Sequence, residues 1–205
     1  YVFLAYADAL QPPFRNYSTG EWNMSDEVKS PEGVNLVPFV AQDKFNYSKS
    51  LYDADNNSVR RFVEDWAAVY DDCMAWSYGT FFHDYLCFYD SFGFYSEYYK
   101  LLKENKYMYT FAQIHDCQRG ADTGFGVLHN YLCSKLAWNS DLDVNKLVDD
   151  YFKAMYKDAW VEMKELFTQE SLWFAIENAR TSLTTSSSVT STEKDKLPFG
   201  TVNDF

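Results

Sequence analysis

Four short apolar runs, separated by helical or polar stretches, constrain this chain more than any other feature. They are Val2–Ala9, halted by Gln11-Pro12-Pro13; Val34–Ala41 (VNLVPFVA); Cys73–Tyr78 (CMAWSY), broken by Gly79; and Tyr107–Ile114 (YMYTFAQI). Runs of this length, rich in β-branched and aromatic residues and bounded by Gly or Pro, read as strands. Their continuous apolar character fits strands buried in a parallel sheet, with Pro38 predicting a bulge or bend in the second. Asn16–Gly33 and Asp43–Asn57 read as long polar loops. A helix is predicted over Val59–Tyr70, with Val59, Phe62, Val63, Trp66, Ala67 and Tyr70 on one side and Asn57 or Ser58 as its cap. Another is predicted near Tyr95–Asn105, with Tyr95, Tyr98, Tyr99 and Leu102 on one face. Strands alternating with helices or long loops give βα units and an α/β fold.

The segment after the last strand, Leu128–Phe167, is helical. Leu128, Tyr131, Leu132, Leu136 and Trp138 carry one helix, which stops at Trp138-Asn139. Ser140, Asp141 and Asp143 are candidate N-caps for the next. That helix is expected to run unbroken over Val144–Phe167, about six turns. Leu147, Val148, Tyr151, Phe152, Met155, Trp160, Met163, Leu166 and Phe167 would face the core, with Asp149, Asp150, Lys153, Lys157 and Glu162 in water. A further helix is expected over Gln169–Arg180, followed by a Ser/Thr-rich stretch from Thr181 that reads as a flexible tail. The expected organisation is 1–126 for the sheet-forming part, 127–180 for the helices packed on it and 181–205 for the tail.

The helical segment also carries a resemblance. Tyr131-Leu132-x-x-Lys135-Leu136-x-Trp138-Asn139-x-Asp141-x-Asp143, followed by Leu147-Val148-x-Asp150-Tyr151-Phe152 and Tyr156-x-x-Ala159, resembles the end of domain of unknown function 4838. That is a bacterial family of glycoside-hydrolase-like proteins. The resemblance spans roughly Tyr1–Phe167 and implies the second half of a (β/α)8 TIM-type barrel, about four parallel strands, followed by C-terminal helices. A closed barrel needs eight strands. The chain starts at Tyr1 in mid-strand, with no initiator Met and no signal peptide, so a piece of a longer protein is expected. Its expected partner is the missing N-terminal half, or a second copy of itself. A secreted or cell-surface bacterial location follows from the resemblance alone.

Composition removes several function classes. The net charge is -12 and no basic cluster is longer than Arg60-Arg61, so nucleic acid is not an expected partner. No run of eighteen apolar residues exists, so no membrane span is expected. The four cysteines, Cys73, Cys87, Cys117 and Cys133, lack CxxC spacing, and histidines are not paired at ligand intervals. They read as free buried thiols rather than a metal site, with a Cys87–Cys133 disulfide left open. No P-loop, dinucleotide glycine pattern or G-x-S-x-G is present, and no cofactor is expected. Asn16, Asn23, Asn46 and Asn56 each begin an N-x-S triplet.

Aromatic residues make up 20% of the chain. Most of these rings would fill a core, but flat apolar faces also stack on sugars. In a (β/α) barrel, ligands meet the C-terminal ends of strands. The expected substrate-binding set is Tyr6, Asp8, Trp76, Tyr78, His83, Gln113, His115 and Asp116. Gln42, Asp43, Phe81 and Arg119 stand nearby in sequence. By resemblance, Trp76-x-Tyr78 corresponds to the family's W-x-Y strand and Gln113 to its strand-end Gln. Parity alone does not decide whether they face a cleft or a core. Glycoside hydrolysis needs two carboxylates, about 5 Å apart for retention and about 6.5–9.5 Å for inversion. Strand ends here offer Asp8, Asp43 and Asp116 and no Glu, so no catalytic residue is assigned and this chain alone is not expected to hydrolyse. His129, inside a helix, reads as packed. The expectation is a carbohydrate-active, glycoside-hydrolase-like piece that contacts an oligosaccharide. The other readings are a non-catalytic glycan-binding or scaffold module with a degenerate barrel, and an all-helical interaction domain.

Overall fold

The computed structural model describes residues 1–25, 29–79, 88–114 and 125–186, with backbone only over 177–186. Four parallel strands form one sheet in chain order: β1 (Val2–Ala5), β2 (Val37–Ala41), β3 (Cys73–Tyr78) and β4 (Tyr107–Gln113). The helices are α1 (Asn57–Val69), α2 (Phe94–Glu104), α3 (Gly126–Trp138), α4 (Val144–Tyr156) and α5 (Trp160–Ser186). The α/β class and the four-stranded parallel sheet are as expected, and the all-helical reading is excluded.

Burial departs from the expectation of strands covered on both sides. Along β3, Cys73, Ala75 and Ser77 are buried, whereas Met74, Trp76 and Tyr78 are only partly so. Parallel pairing keeps partnered residues on one face, so Leu4, Phe39, Met74 and Tyr109 form a row across the sheet, with Trp76 and Phe111 in the next. On this second face Val2 is 60% exposed, Leu4 50% and Tyr109 51%. The helices cover one face only. β1 is an outer strand and shorter than expected: Ala7 takes φ 51° and starts a 3-10 turn over Ala7–Ala9.

The expected irregularity at Pro38 is elsewhere. Pro38 pairs with Phe3, and pairing of β2 to β3 begins only at Phe39, so its missing N–H leaves no vacant rung there. The register shift lies between β3 and β4, where Cys73 meets Tyr107 but Met74 meets Tyr109. Met108 is the extra residue, a β-bulge.

The core fills the space between the covered face and the helices. Val59, Val63 and Trp66 of α1 and Tyr95, Tyr98, Leu101 and Leu102 of α2 pack over Val40, Cys73 and Ala75. Leu128, Leu132 and Leu136 of α3 meet Leu147, Val148, Tyr151 and Phe152 of α4. Polar tips reach backbone: Trp66 Nε1 donates to Leu10 O (2.8 Å) and Tyr107 Oη to Val63 O (2.9 Å). The β1–β2 loop is tied to α1 through buried Asp65, which accepts from Arg15 Nη1 (2.5 Å) and Tyr17 Oη (2.8 Å). Asn56, not Asn57 or Ser58, precedes α1; its buried amide donates to Asn46 O and Ser50 O and so holds the β2–α1 loop. Asp143 caps α4, its Oδ1 accepting from Asn145 N (2.9 Å).

The helix expected over Val144–Phe167 is broken at Lys157, which takes φ 51°, and a 3-10 turn over Lys157–Ala159 starts α5. On one straight helix, Phe152 and Phe167 would be about 22 Å apart along the axis. Here their ring centroids are 5.5 Å apart, because α5 folds back on α4. Lys164 pairs with Asp149 across that hairpin. The apolar period read from sequence is real, but it belongs to two helices facing each other. α5 continues through Thr168 and past Arg180 to Ser186, where a tail was expected from Thr181.

Cys73 and Cys133 are buried free thiols, each pushed up to about 12 by burial. Cys133 therefore forms no disulfide with Cys87, which lies outside the described residues. His129 is fully buried, stacked on Phe92 (centroids 3.8 Å) with Nε2 2.7 Å from Ser91 Oγ.

Two predictions follow from this packing. Phe152 is 0% exposed and touches the rings of Phe125, Tyr151, Tyr156 and Phe167. In denaturant titrations, Phe152→Ala should lose about 3–5 kcal/mol, whereas Met155→Ala, on the same helix but exposed, should lose well under half of that. Burial pushes the His129 imidazole down to about 3 from 6.5. The unfolded chain therefore binds a proton that the native state refuses between those values. Above pH 6.5 stability is unaffected by this group; below it, stability should fall by up to about 1.4 kcal/mol per pH unit. His129→Phe should flatten that slope in urea titrations at stepped pH, and an unchanged slope would assign the loss to other groups.

Candidate functional site

The strand ends gather side chains on the open face of the sheet. Leu4, Tyr6, Ala41, Trp76, Tyr78 and Gln113 line a groove of about 360 Å³ there. Each reaches it through register: Trp76 stands beside Ala41 on one side and Phe111 on the other, and Tyr78 pairs with Gln113.

Trp76 and Tyr78, two residues apart on β3, are stacked with centroids 6.0 Å apart and planes at 24°. The Trp76 indole N–H donates to Gln113 Oε1 at 3.1 Å, which fixes the ring's rotation. Phe111 packs edge-on against Trp76 at 5.1 Å, and Phe39 touches it at 5.6 Å. The platform is therefore held from three sides, and both rings are only partly buried. Burial, then Tyr6 and Asp43, push the Tyr78 hydroxyl up to about 12, so it remains a proton donor at neutral pH.

Backbone bonds secure the same strand ends. Gln42 N donates to Trp76 O (2.8 Å) and Gly79 N to Gln113 O (3.0 Å). A Cβ on Gly79 would lie 2.7 Å from Tyr95 Oη, so the residue after β3 is limited to glycine unless α2 shifts.

Of the expected site residues, the structure brings together Tyr6, Trp76, Tyr78 and Gln113. Asp8 is exposed on the turn after β1 and does not line the groove. His83, His115 and Asp116, like Phe81 and Arg119, lie outside the described residues. Gln42 is buried beneath the sheet. Asp43 has one carboxylate oxygen buried without a hydrogen-bond partner and the other 3.5 Å from Lys44 Nζ. No carboxylate lines the groove among the described residues. Leu4 and Ala41 were not expected; strand register would have found them, had the register been readable.

Two other hollows are of similar size. One of about 400 Å³ lies at the opposite, N-terminal end of the strands, by Ser30, Asn35, Asp71 and Asp72. The other, about 340 Å³, lies between the β2–α1 loop and α2, by Ser48, Lys49, Asp90 and Glu97. Its Glu97 is engaged in holding the loop, accepting from Ser50 Oγ and Leu51 N. Neither combines aromatic walls with strand C-terminal ends. Among the described residues, no group of three or more His, Cys, Asp or Glu is placed to hold a metal ion, and no helix is long and apolar enough to cross a membrane.

Residues 22–166 match a family described as domain of unknown function (DUF4838). The match covers β2 to β4, α1 to α4 and the first turns of α5. No curated protein and no solved structure matches the chain.

Proposed function

The chain belongs to the DUF4838 family, and from that premise we propose that it is the carbohydrate-contacting half of a glycoside-hydrolase-like (β/α)8 barrel. The observation that carries this reading is the Trp76–Tyr78 pair, stacked, locked by Gln113 and only partly buried where it lines the groove at the C-terminal ends of parallel strands. A flat pair of rings offers apolar area to the C–H faces of a pyranose at little entropic cost, because packing has already fixed its rotamers. The Gln113 amide and the Tyr6 and Tyr78 hydroxyls supply hydrogen-bonding groups for sugar hydroxyls around it. The role is to hold and orient an oligosaccharide.

Barrel closure is supported by the sheet itself. β1 and β4 are its two edges among the described residues, and below the groove its open face carries Val2, Phe39, Tyr109 and Phe111. Edges unpaired among the described residues, beside exposed apolar surface, call for further strands. A polypeptide supplying the other four strands would bury this face as the barrel's interior. The alternative, a glycan-binding or scaffold module without chemistry, is favoured by one observation: the groove has no carboxylate among the described residues.

Trp76→Ala and Tyr78→Ala in the intact protein should each weaken oligosaccharide binding in calorimetric titration by about tenfold, or about 1.4 kcal/mol, with the Tm nearly unchanged. A large drop in Tm with unaltered affinity would make both rings core residues and remove the basis of the proposal. Light scattering tests closure. The 205-residue chain alone should self-associate, and a soluble, compact monomer with a cooperative melt would overturn the half-barrel.

A further inference from the structure

In an unbroken parallel ladder a residue gives its N–H to one partner residue and takes an N–H at its C=O from the residue two further on. Gln42 N donates to Trp76 O at 2.8 Å, so the next rung would run from Tyr78 N to Gln42 O. Instead Tyr78 N donates to Tyr47 Oη at 3.0 Å, and Tyr47 Oη donates to Gln42 O at 2.7 Å. A side-chain hydroxyl has entered the ladder between β2 and β3, at the mouth of the groove that Ala41, Trp76 and Tyr78 line.

Tyr47 is built for that position. It is 3% exposed, and its ring packs on Phe94 at 4.7 Å and on Phe45 at 6.0 Å, so its hydroxyl is aimed by the α2 side of the core. Both bonds it makes satisfy backbone groups that would otherwise be left unpaired as the strands part. A hydroxyl suits this rung because it accepts from one backbone group and donates to the other.

We propose that Tyr47 is a positioning residue for the groove: its hydroxyl replaces the last rung between β2 and β3, spreads the two strand ends, and seats Tyr78 in its stack on Trp76. Tyr47 touches no ligand and acts through the Tyr78 backbone. The inference rests on the reading of the groove as a glycan site only for its binding consequence; the structural role stands on the hydrogen bonds.

Tyr47→Phe removes the hydroxyl and keeps the ring. In the intact protein it should change the hydrogen-exchange rate of the Tyr78 amide, alter the near-ultraviolet circular dichroism of the Trp76–Tyr78 pair, and weaken oligosaccharide binding by threefold or more. Replacing Tyr47 with 3-fluorotyrosine, which keeps the hydroxyl, should restore all three. An unchanged Tyr78 amide and spectrum overturns the proposal, as does a changed spectrum with full glycan affinity. Should Tyr47→Phe not fold, the unaltered protein decides: a Tyr78 amide that exchanges as fast as an unprotected strand-end amide would also overturn the proposal. If the unaltered protein binds no oligosaccharide, the glycan reading fails, and the amide and spectral results alone decide the role of Tyr47.

Discussion

Alternation along parallel strands is the constraint on which the rest of this molecule depends. Every second side chain goes to the face that the helices cover and the others to a face they leave open. On the covered side the residues are small, namely Ala5, Val40, Cys73, Ala75 and Ser77, because the rings of α1 and α2 come down onto them. On the other side most are larger, as with Leu4, Phe39, Met74, Trp76, Tyr109 and Phe111. The two faces differ in size because only one has its filling supplied from above.

The covered side is an aromatic core with polar tips. Tyr95, Tyr98, Tyr99 and Tyr107 bury their rings, and burial raises their hydroxyls far enough that none ionises under ordinary conditions. Such rings add edge-to-face contacts to their area, as between Tyr95 and Tyr98 at 6.1 Å. Two polar side chains, Ser77 and Gln42, are buried with them under the strand ends. The β1–β2 loop is anchored through Asp65, a buried carboxylate that is tolerated because a guanidinium and a phenol both reach it.

Much of this was legible in the chain. β3 was readable to the residue, because Gly79 and the polar pair Asp71-Asp72 bracket a run with one composition. α1 and α2 were readable from apolar period. What sequence could not express was reversal. The pattern from Val144 to Phe167 is the same whether one helix carries it or two helices face each other, and only the left-handed turn at Lys157, at a residue with no glycine signal, distinguishes them. The site divided in the same way. Trp76, Tyr78 and Gln113 announce themselves by type and strand end, and the family resemblance pointed to them. Leu4 and Ala41 depend on register, which is a relation between strands. Tyr47 depends on a loop folding back by five residues to meet its own strand, for which periodicity has no symbol.

The bulge at Met108 has a bearing on which strands can extend the sheet. An edge strand that is straight and apolar pairs readily with copies of itself on a crowded ribosome. β4 is apolar and exposed, but its extra residue bends it near its start, and β1, at the other edge, is only four residues long. Two identical bent edges do not lie flat together, whereas a strand of matching curvature does. One inserted residue therefore restricts which strands can extend this edge.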